Sequence, residues 1–393
     1  MQLRVDDELV ESVGGIGPVL RHNSGEGERA RRLPAATLEA LREAGFLRLY
    51  VPESLGGLET DPVTCARVVE EVAAHDSAAG WAVMVANSVA WWCRALPTEG
   101  PEEIYADDPD AFIATAFHPP VAAAEVAGGY RLTGRAPLAS NVDDAPWLML
   151  TALVMDDGEP RRVDGSPVVI GAIFPTREAR IEDTWHSMGM RGTGSNDVSV
   201  EDVFVPAART FAFDPAFEPG RHYRGSLYRA PALGAALAPW ATVALAVARG
   251  AIGELCQLAQ GKTPFVSTIP LRERPSAQAK VGRAEALLRS ARLLLYDTLA
   301  EAWARTLRDE QSSLAQKSDL LLASVHAVQS AAAAVELMYL AGGSTGIYAR
   351  SPLERHFRDV EVLRQHGFLS DNRYETSGQV LLGLPPDLGL VVF

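Results

Sequence analysis

The side chains able to do chemistry in this 393-residue chain are few and widely spaced. Lysine occurs only at Lys262, Lys280 and Lys317, in segments that read as helices or their approaches, so Schiff-base chemistry has few candidates. The three cysteines, Cys65, Cys93 and Cys256, are odd in number and form no CxxC, which argues against a disulfide framework and a zinc site and fits a reducing cytosol. The eight histidines are scattered, with no HExxH, and no GxSxG occurs, so metal hydrolysis and serine-triad chemistry are poor fits. Gly261-Lys262-Thr263 looks like the end of a phosphate loop, but Cys256 stands where the first glycine belongs and Pro264 follows. Gly189-Met190-Arg191-Gly192-Thr193-Gly194 has the order GxxGxG and leads into a strand pattern. No helix N-terminus then follows it to hold a pyrophosphate.

The elements that must position these residues fall into three regions. Up to about residue 105 the pattern is helical: Leu38–Gly45 ends on a glycine stop signal, Cys65–Ala74 places Val68, Val69 and Val72 on one face, and Ser77–Leu96 is strongly apolar. Between about 111 and 213, Tyr130–Gly134, Leu148–Val154, Val168–Phe174 and Val198–Val205 read as short strands of a small barrel or sandwich. From about 224 the helical pattern returns. Ala277–Arg308 and Ser312–Ala341 are joined by Asp309-Glu310-Gln311, as in an antiparallel bundle. The net charge of −14 repels phosphate backbones and speaks against a nucleic-acid partner. The N-terminus shows no leader pattern. The uncharged Ala230–Ala248 stretch, broken by Pro231, Gly234 and Pro239, reads as a buried helix start rather than a membrane span. A cytoplasmic protein with no membrane partner is expected.

Two stretches are too specific for generic loop: Trp185–Asp197, followed by Val203-Phe204-Val205-Pro206, and Ala341-Gly342-Gly343 with Pro352–Asp359. In this order around a β region they resemble the acyl-CoA dehydrogenase superfamily of flavoproteins, from Leu38 to Leu384 and including the Tyr50–Gly57 turn. The resemblance implies a mainly α fold with a central β domain: an N-terminal helical domain (1–110), a middle β-barrel (111–215) and a C-terminal four-helix bundle with a tail (224–393). It implies a flavin between the β domain and the bundle. Gly134–Asn141 matches the flavin strand, with Leu138 in place of an aromatic residue on the ring and Ser140 in place of a hydroxyl that donates to N5. Read by itself, Ser140 is a strand-end hydroxyl. By the same resemblance Phe117-His118-Pro119-Pro120 is the first flavin-contacting turn, where His118 could stabilise an anionic ring or move a proton; an exposed loop histidine is the equal alternative. Arg191, Gly192, Thr193 and Ser195 would turn over the flavin's edge, although a structural turn fits the residues as well. Lys262 and Arg272 would face a flavin phosphate or act as solvated helix-end charges. Gly342 and Gly343 would approach the dinucleotide of a neighbouring subunit, implying a homotetramer or dimer of dimers.

The activity turns on a base. The dehydrogenases of this superfamily remove an α-proton with a glutamate soon after the arginine-aspartate pair. From Arg358-Asp359 that position falls on Gly367, beside His366. The Gly-Met-Arg-Gly-Thr-Gly-Ser-Asn loop, this histidine and the Asp76–Trp81 helix start resemble the two-component flavin monooxygenases, including those of hydroxyphenylacetate, a steroid-derived phenol and dibenzothiophene. Such enzymes take reduced FMN or FAD from a separate flavin reductase and form a C4a-hydroperoxide that oxygenates a small organic substrate. The resemblance casts His366 as a base or a support for the peroxide, Ser140 at N5 and His118 on the oxygen side; a surface histidine is the plain reading of His366. Acyl thioester dehydrogenation with Glu375 as base, and a flavin-free homologue, are the alternatives. Trp91, Trp92 and Met84 are candidates for the pocket wall.

Overall fold

A computed structural model describes residues 5–214 and 217–393. Met1–Arg4, the start of the stretch read for a leader, and the domain boundary placed at 215 lie outside the described residues.

The N-terminal region contains α1 (Asp7–Ala30), α2 (Ala35–Glu43), α3 (Pro62–His75), α4 (Ser77–Trp92) and α5 (Glu99–Tyr105). Helix α1 has no counterpart in the sequence pattern because it carries Gly14, Gly15, Gly17, Pro18, Gly25 and Gly27, each costing helix propensity. Burial overrides that cost. Val10, Val13, Gly17 and Leu20 form its buried face, and a Cβ at Gly17 would lie 2.5 Å from His75 Nε2. Asp6 caps its first turn by accepting from Leu9 N–H at 3.0 Å. Helix α4 is buried along its whole length and starts where Asp76 accepts from Ala78 N–H.

The middle region is one mixed sheet. Its strands are β1 (Ile113–Val126), β2 (Gly129–Ala139), β3 (Trp147–Asp156), the short β4 (Glu159–Pro160), β7 (Val169–Pro175), β8 (Arg180–Glu182), β9 (Asn196–Pro206) and β10 (Thr210–Ala212). A separate hairpin pairs β5 (Arg162–Val163) with β6 (Ser166–Pro167). The path runs β10-β7-β3-β1-β2-β9-β8, and only β1–β3 is parallel. Strand β1 is not visible in the sequence because alanine and two prolines dilute its pattern. The Phe117–Pro120 segment, expected as a turn, sits inside it at a register break between Ala116 and Val121.

The C-terminal bundle comprises α6 (Ala238–Gly261), α7 (Pro275–Leu307), α8 (Leu314–Gly342) and α9 (Pro352–Leu363), with α10 (Arg373–Leu381) against α8. One π-helical turn, Leu233–Leu237, leads into α6. Two segments, Leu233–Gly261 and Leu314–Thr345, are long and apolar enough to cross a membrane, but their most apolar windows are 89% and 67% buried inside the fold. The other bundle helices cover both, and α3 and α4 add to the cover of the first.

Candidate active site

One face of α4 builds the floor of the main cavity. Trp81, Val85, Ser88 and Trp92 recur at helical spacing and all line it, although the sequence marks α4 only as uniformly apolar. The π turn and the start of α6 supply Ala236, Leu237 and Trp240. The sheet adds Phe117, His118, Leu138, Ser140 and Thr151. The segment after α9 adds His366, Gly367 and Phe368. The cavity volume is about 840 Å³. No aspartate, glutamate or lysine lines it among the described residues, and Arg373 is its one permanently charged side chain.

Trp81 joins the two principal candidates. Its Nε1–H donates to Ser140 Oγ at 3.1 Å, and its ring meets the His366 imidazole edge-on at a centroid distance of 5.5 Å. Trp240 closes on His366 from another side at 4.7 Å, anchored by its Nε1–H donating to Ser88 Oγ at 2.9 Å. Ser88 Oγ donates in turn to Ala236 O at 3.0 Å, in the π turn where the helical hydrogen-bond pattern shifts. Enclosure by these rings pushes the His366 imidazole down to about 4, because burial disfavours the cation. At neutral pH the ring is uncharged. Its Nδ1 accepts from Phe368 N–H at 3.4 Å, which assigns the remaining proton to Nε2. His366 is therefore a hydrogen-bond donor and a weak base.

Ser140 has a fixed direction. Thr193 Oγ1 lies 2.8 Å from Met190 O, which can only accept, so Thr193 donates there. Ser195 Oγ, 2.7 Å from Thr193 Oγ1, then donates to Thr193, and Ser140 Oγ, 2.8 Å from Ser195 Oγ, donates to Ser195. Only this order makes every bond. The Ser140 proton is consumed, and a lone pair is left for a donor in the cavity. Where the sequence reading expects Ser140 to donate to flavin N5, this hydrogen-bond order presents an acceptor to the cavity.

The glycine-rich loop serves this chain from behind. Arg191 Nε–H donates to Glu28 O at 3.1 Å, and a Cβ at Gly192 would meet the Ala78 methyl at 2.9 Å, so both face α1 and α4 rather than the cavity. Thr193 and Ser195 are buried and reach the cavity only through Ser140. Asp359 clamps the loop: Oδ1 accepts from Met190 N–H at 2.6 Å and Oδ2 from Ser77 Oγ at 2.8 Å. Arg355 lies 3.3 Å from Asp76, whose carboxyl burial raises to about 6. Arg358 bonds Glu28 and Glu354 at 2.7 and 2.6 Å. The arginine-aspartate pair thus ties α9, α1, α4 and the loop into one block.

The other candidates separate. His118 is exposed at the cavity wall. Leu138 lies at the wall with φ +64° and is 57% exposed, an unusual backbone and exposure for leucine. Lys262 donates to Gly342 O and to Thr345 Oγ1, and it lines a second hollow of about 270 Å³ with Gly342 and Gly343. Arg272 is exposed and outside that hollow; Arg274 and Lys280 line it instead. Glu375 is exposed and does not line the main cavity, which removes the carboxylate of the dehydrogenase alternative. Trp92 lines the cavity, but Trp91 and Met84 are core. Among the described residues no cluster of three or more histidine, cysteine or acidic side chains could hold a metal.

Helical, β and helical regions in this order, with a cavity where all three meet, define an acyl-CoA dehydrogenase-type fold. Residues 19–104 match the family model for the acyl-CoA dehydrogenase N-terminal domain, and residues 238–371 match that for the C-terminal domain. An indole-3-acetate monooxygenase from Pseudomonas putida is 34% identical over 93% of this chain and 91% of its own. The oxygenase subunit HsaA of a flavin-dependent monooxygenase from Rhodococcus jostii is 29% identical over 96% and 98%. XiaF from Streptomyces sp., solved in complex with FADH2 and glycerol, superposes with a TM-score of 0.89 at 27% identity, covering 97% of this chain and 96% of that one. The chain belongs to the acyl-CoA dehydrogenase family, in its branch of two-component flavin-dependent monooxygenases.

Proposed function

We propose that the protein is the oxygenase component of a two-component flavin-dependent monooxygenase, acting on a small aromatic substrate. The observation that carries this reading is the main cavity: Ser140 and His366 meet there through Trp81, and no aspartate or glutamate lines it among the described residues. Without a carboxylate base, α-proton abstraction from an acyl thioester has no agent. The residues fit a flavin: the cavity is large, its walls are flat aromatic faces, and the Ser140 lone pair is free for the N5–H of a reduced ring. Leu138 stands exposed at the same wall. Lys262, Arg274 and Lys280 place positive charge in the second hollow, suited to flavin phosphate.

Bound reduced flavin would supply the two electrons with which O2 gives one oxygen atom to the substrate and one to water. The chain's own residues do the rest. Ser140 would accept from N5–H and hold the ring. His366 Nε2–H donates to an oxygen that gains negative charge, held on axis by Trp81 and Trp240. His118 stands at the cavity wall, where it would assist on the oxygen side. Trp92, Phe213 and Phe368 enclose the substrate and exclude water.

The oxygenase-subunit name of one relative supports a flavin reductase as partner, and the FADH2 complex of another supports FAD over FMN. A cytoplasmic homotetramer remains part of the reading. Single-turnover reaction of the protein loaded with reduced flavin, under 18O2 with an indole or phenol substrate, tests it. Incorporation of one labelled oxygen into product is expected; substrate oxidised without label overturns the proposal.

A further inference from the structure

Past its first residue, helix α4 is apolar except at two adjacent buried positions, Asn87 and Ser88. They serve different sides of the helix. Asn87 works in the core: its amide donates to Val83 O at 2.7 Å and to Phe46 O at 2.8 Å, and its Oδ1 accepts from Tyr50 N–H at 3.0 Å. Ser88 lines the main cavity, and its hydroxyl has one proton to give. Met84 Sδ, at 3.6 Å, is a weak acceptor, so the proton goes to Ala236 O, 3.0 Å away in the π turn. A lone pair then takes the Trp240 Nε1–H at 2.9 Å. One hydroxyl ties α4 to the entry of α6 and sets the direction of the Trp240 indole.

The two indoles that enclose His366 are held alike. Trp81 Nε1–H donates to Ser140 Oγ, and Trp240 Nε1–H to Ser88 Oγ. Trp240 is the nearer of the two, with its centroid 4.7 Å from the imidazole and the ring planes 87° apart. A buried indole N–H without an acceptor is costly, so a ring that loses its acceptor turns toward another, water included. Turning Trp240 takes its face off His366 and admits water beside the imidazole.

We propose that Ser88 is a positioning residue of the oxygenation site, acting through Trp240 to keep the His366 imidazole dry and fixed in direction. The proposal rests on the main cavity being the site of oxygenation. Ser88 acts here without touching flavin or substrate.

Histidine-selective 13C NMR of the full-length protein without flavin, followed from pH 8 to pH 5, reads the state of His366. Its signal is the one missing from His366→Gln. In the wild type burial holds the imidazole near 4, so about a tenth of it is protonated at pH 5. Water beside the ring restores part of its lost basicity, so Ser88→Ala should raise the proton affinity roughly tenfold, with about half protonated at pH 5. Ser88→Thr keeps the hydroxyl and should return the signal to its wild-type course. Trp240→Phe deletes the N–H that Ser88 holds, so adding Ser88→Ala to it should move His366 no further. An unmoved His366 in Ser88→Ala overturns the proposal, as does a full additional shift in the Trp240→Phe background, or a folded Ser88→Thr protein that shifts as far as Ser88→Ala. In single turnover with reduced flavin under 18O2, Ser88→Ala should lower labelled product per flavin oxidised by several-fold; full coupling would overturn its part in oxygenation. The NMR titration uses neither flavin nor turnover. A wild type that incorporates no label therefore sinks the functional reading, while the titration still judges the link from Ser88 through Trp240 to His366.

Discussion

The direction of the Ser140 hydrogen bond gives the most discriminating prediction. In the wild type the Ser140 proton is committed to Ser195, because Thr193 has spent its own on Met190 O. Ser195→Ala deletes that acceptor. Trp81 Nε1–H still donates to Ser140, so the hydroxyl stays in place with its proton released. Oxidised flavin offers an acceptor at N5 and reduced flavin a donor, so the variant gains a bond to the oxidised form that the wild type cannot make. One neutral hydrogen bond contributes about 1–1.5 kcal/mol net. That is roughly tenfold in the ratio of oxidised to reduced affinity, and lowers the two-electron potential of the bound flavin by about 30 mV. Thr193→Val acts in the same direction, because Ser195 is then free to donate to Ser140. Anaerobic equilibrium titration with oxidised and with dithionite-reduced flavin measures both affinities. If the ratio stays within twofold of wild type in both variants while the proteins remain folded, the proton order along Ser140, Ser195 and Thr193 is wrong, or Ser140 does not face N5.

Other substitutions and conditions test the remaining links. His366→Ala removes the Nε2–H donor and should divert reducing equivalents from product to hydrogen peroxide, cutting product per flavin oxidised by roughly tenfold or more; full coupling in that variant would remove its role. His366 and His356 both sit near 4 because burial disfavours their cations, so the unfolded chain binds more protons between about 4 and 6.5, and stability is lost as pH falls through that window. Each contributes on the order of 3 kcal/mol. Asp76, raised to about 6, works in the opposite direction, since its native state holds the extra proton; two histidines outweigh it, and urea unfolding at pH 7 and pH 4.5 should show the net loss, smaller in His366→Gln. Gly189→Ala would place a Cβ 2.2 Å from Arg358 O, so the loop must shift off Asp359; a drop in Tm together with weaker flavin binding is expected, and an unchanged Tm would contradict the packing.

The order of regions, the long helices of the bundle and the family were all legible in the chain before any coordinates. Those signals are local: apolar periodicity in α7 and α8, the glycine stop after α2, and the contiguous Trp185–Asp197 loop. Ser140 and His366 stand out too, through their spacing from recognisable motifs. The features that stayed hidden depend on residues far apart in the chain. Helix α1 is not singled out by the sequence because its five glycines oppose helix formation until Gly17 finds the His75 ring and Val13 and Leu20 find the core. Trp81 and Trp240 lie in segments that read only as apolar helix and buried helix start, and only the crossing of α4 by α6 makes them the walls of His366. Arg191 and Arg272 carried the right charge for a cofactor contact, but the fold turns the first onto Glu28 and leaves the second outside the hollow that Arg274 enters. Glu375 followed a plausible motif and faces solvent. The direction of the Ser140 bond is tertiary in origin: residue type gives a hydroxyl one proton and two lone pairs, and which of them faces the cavity is settled by Met190 O, three hydrogen bonds away.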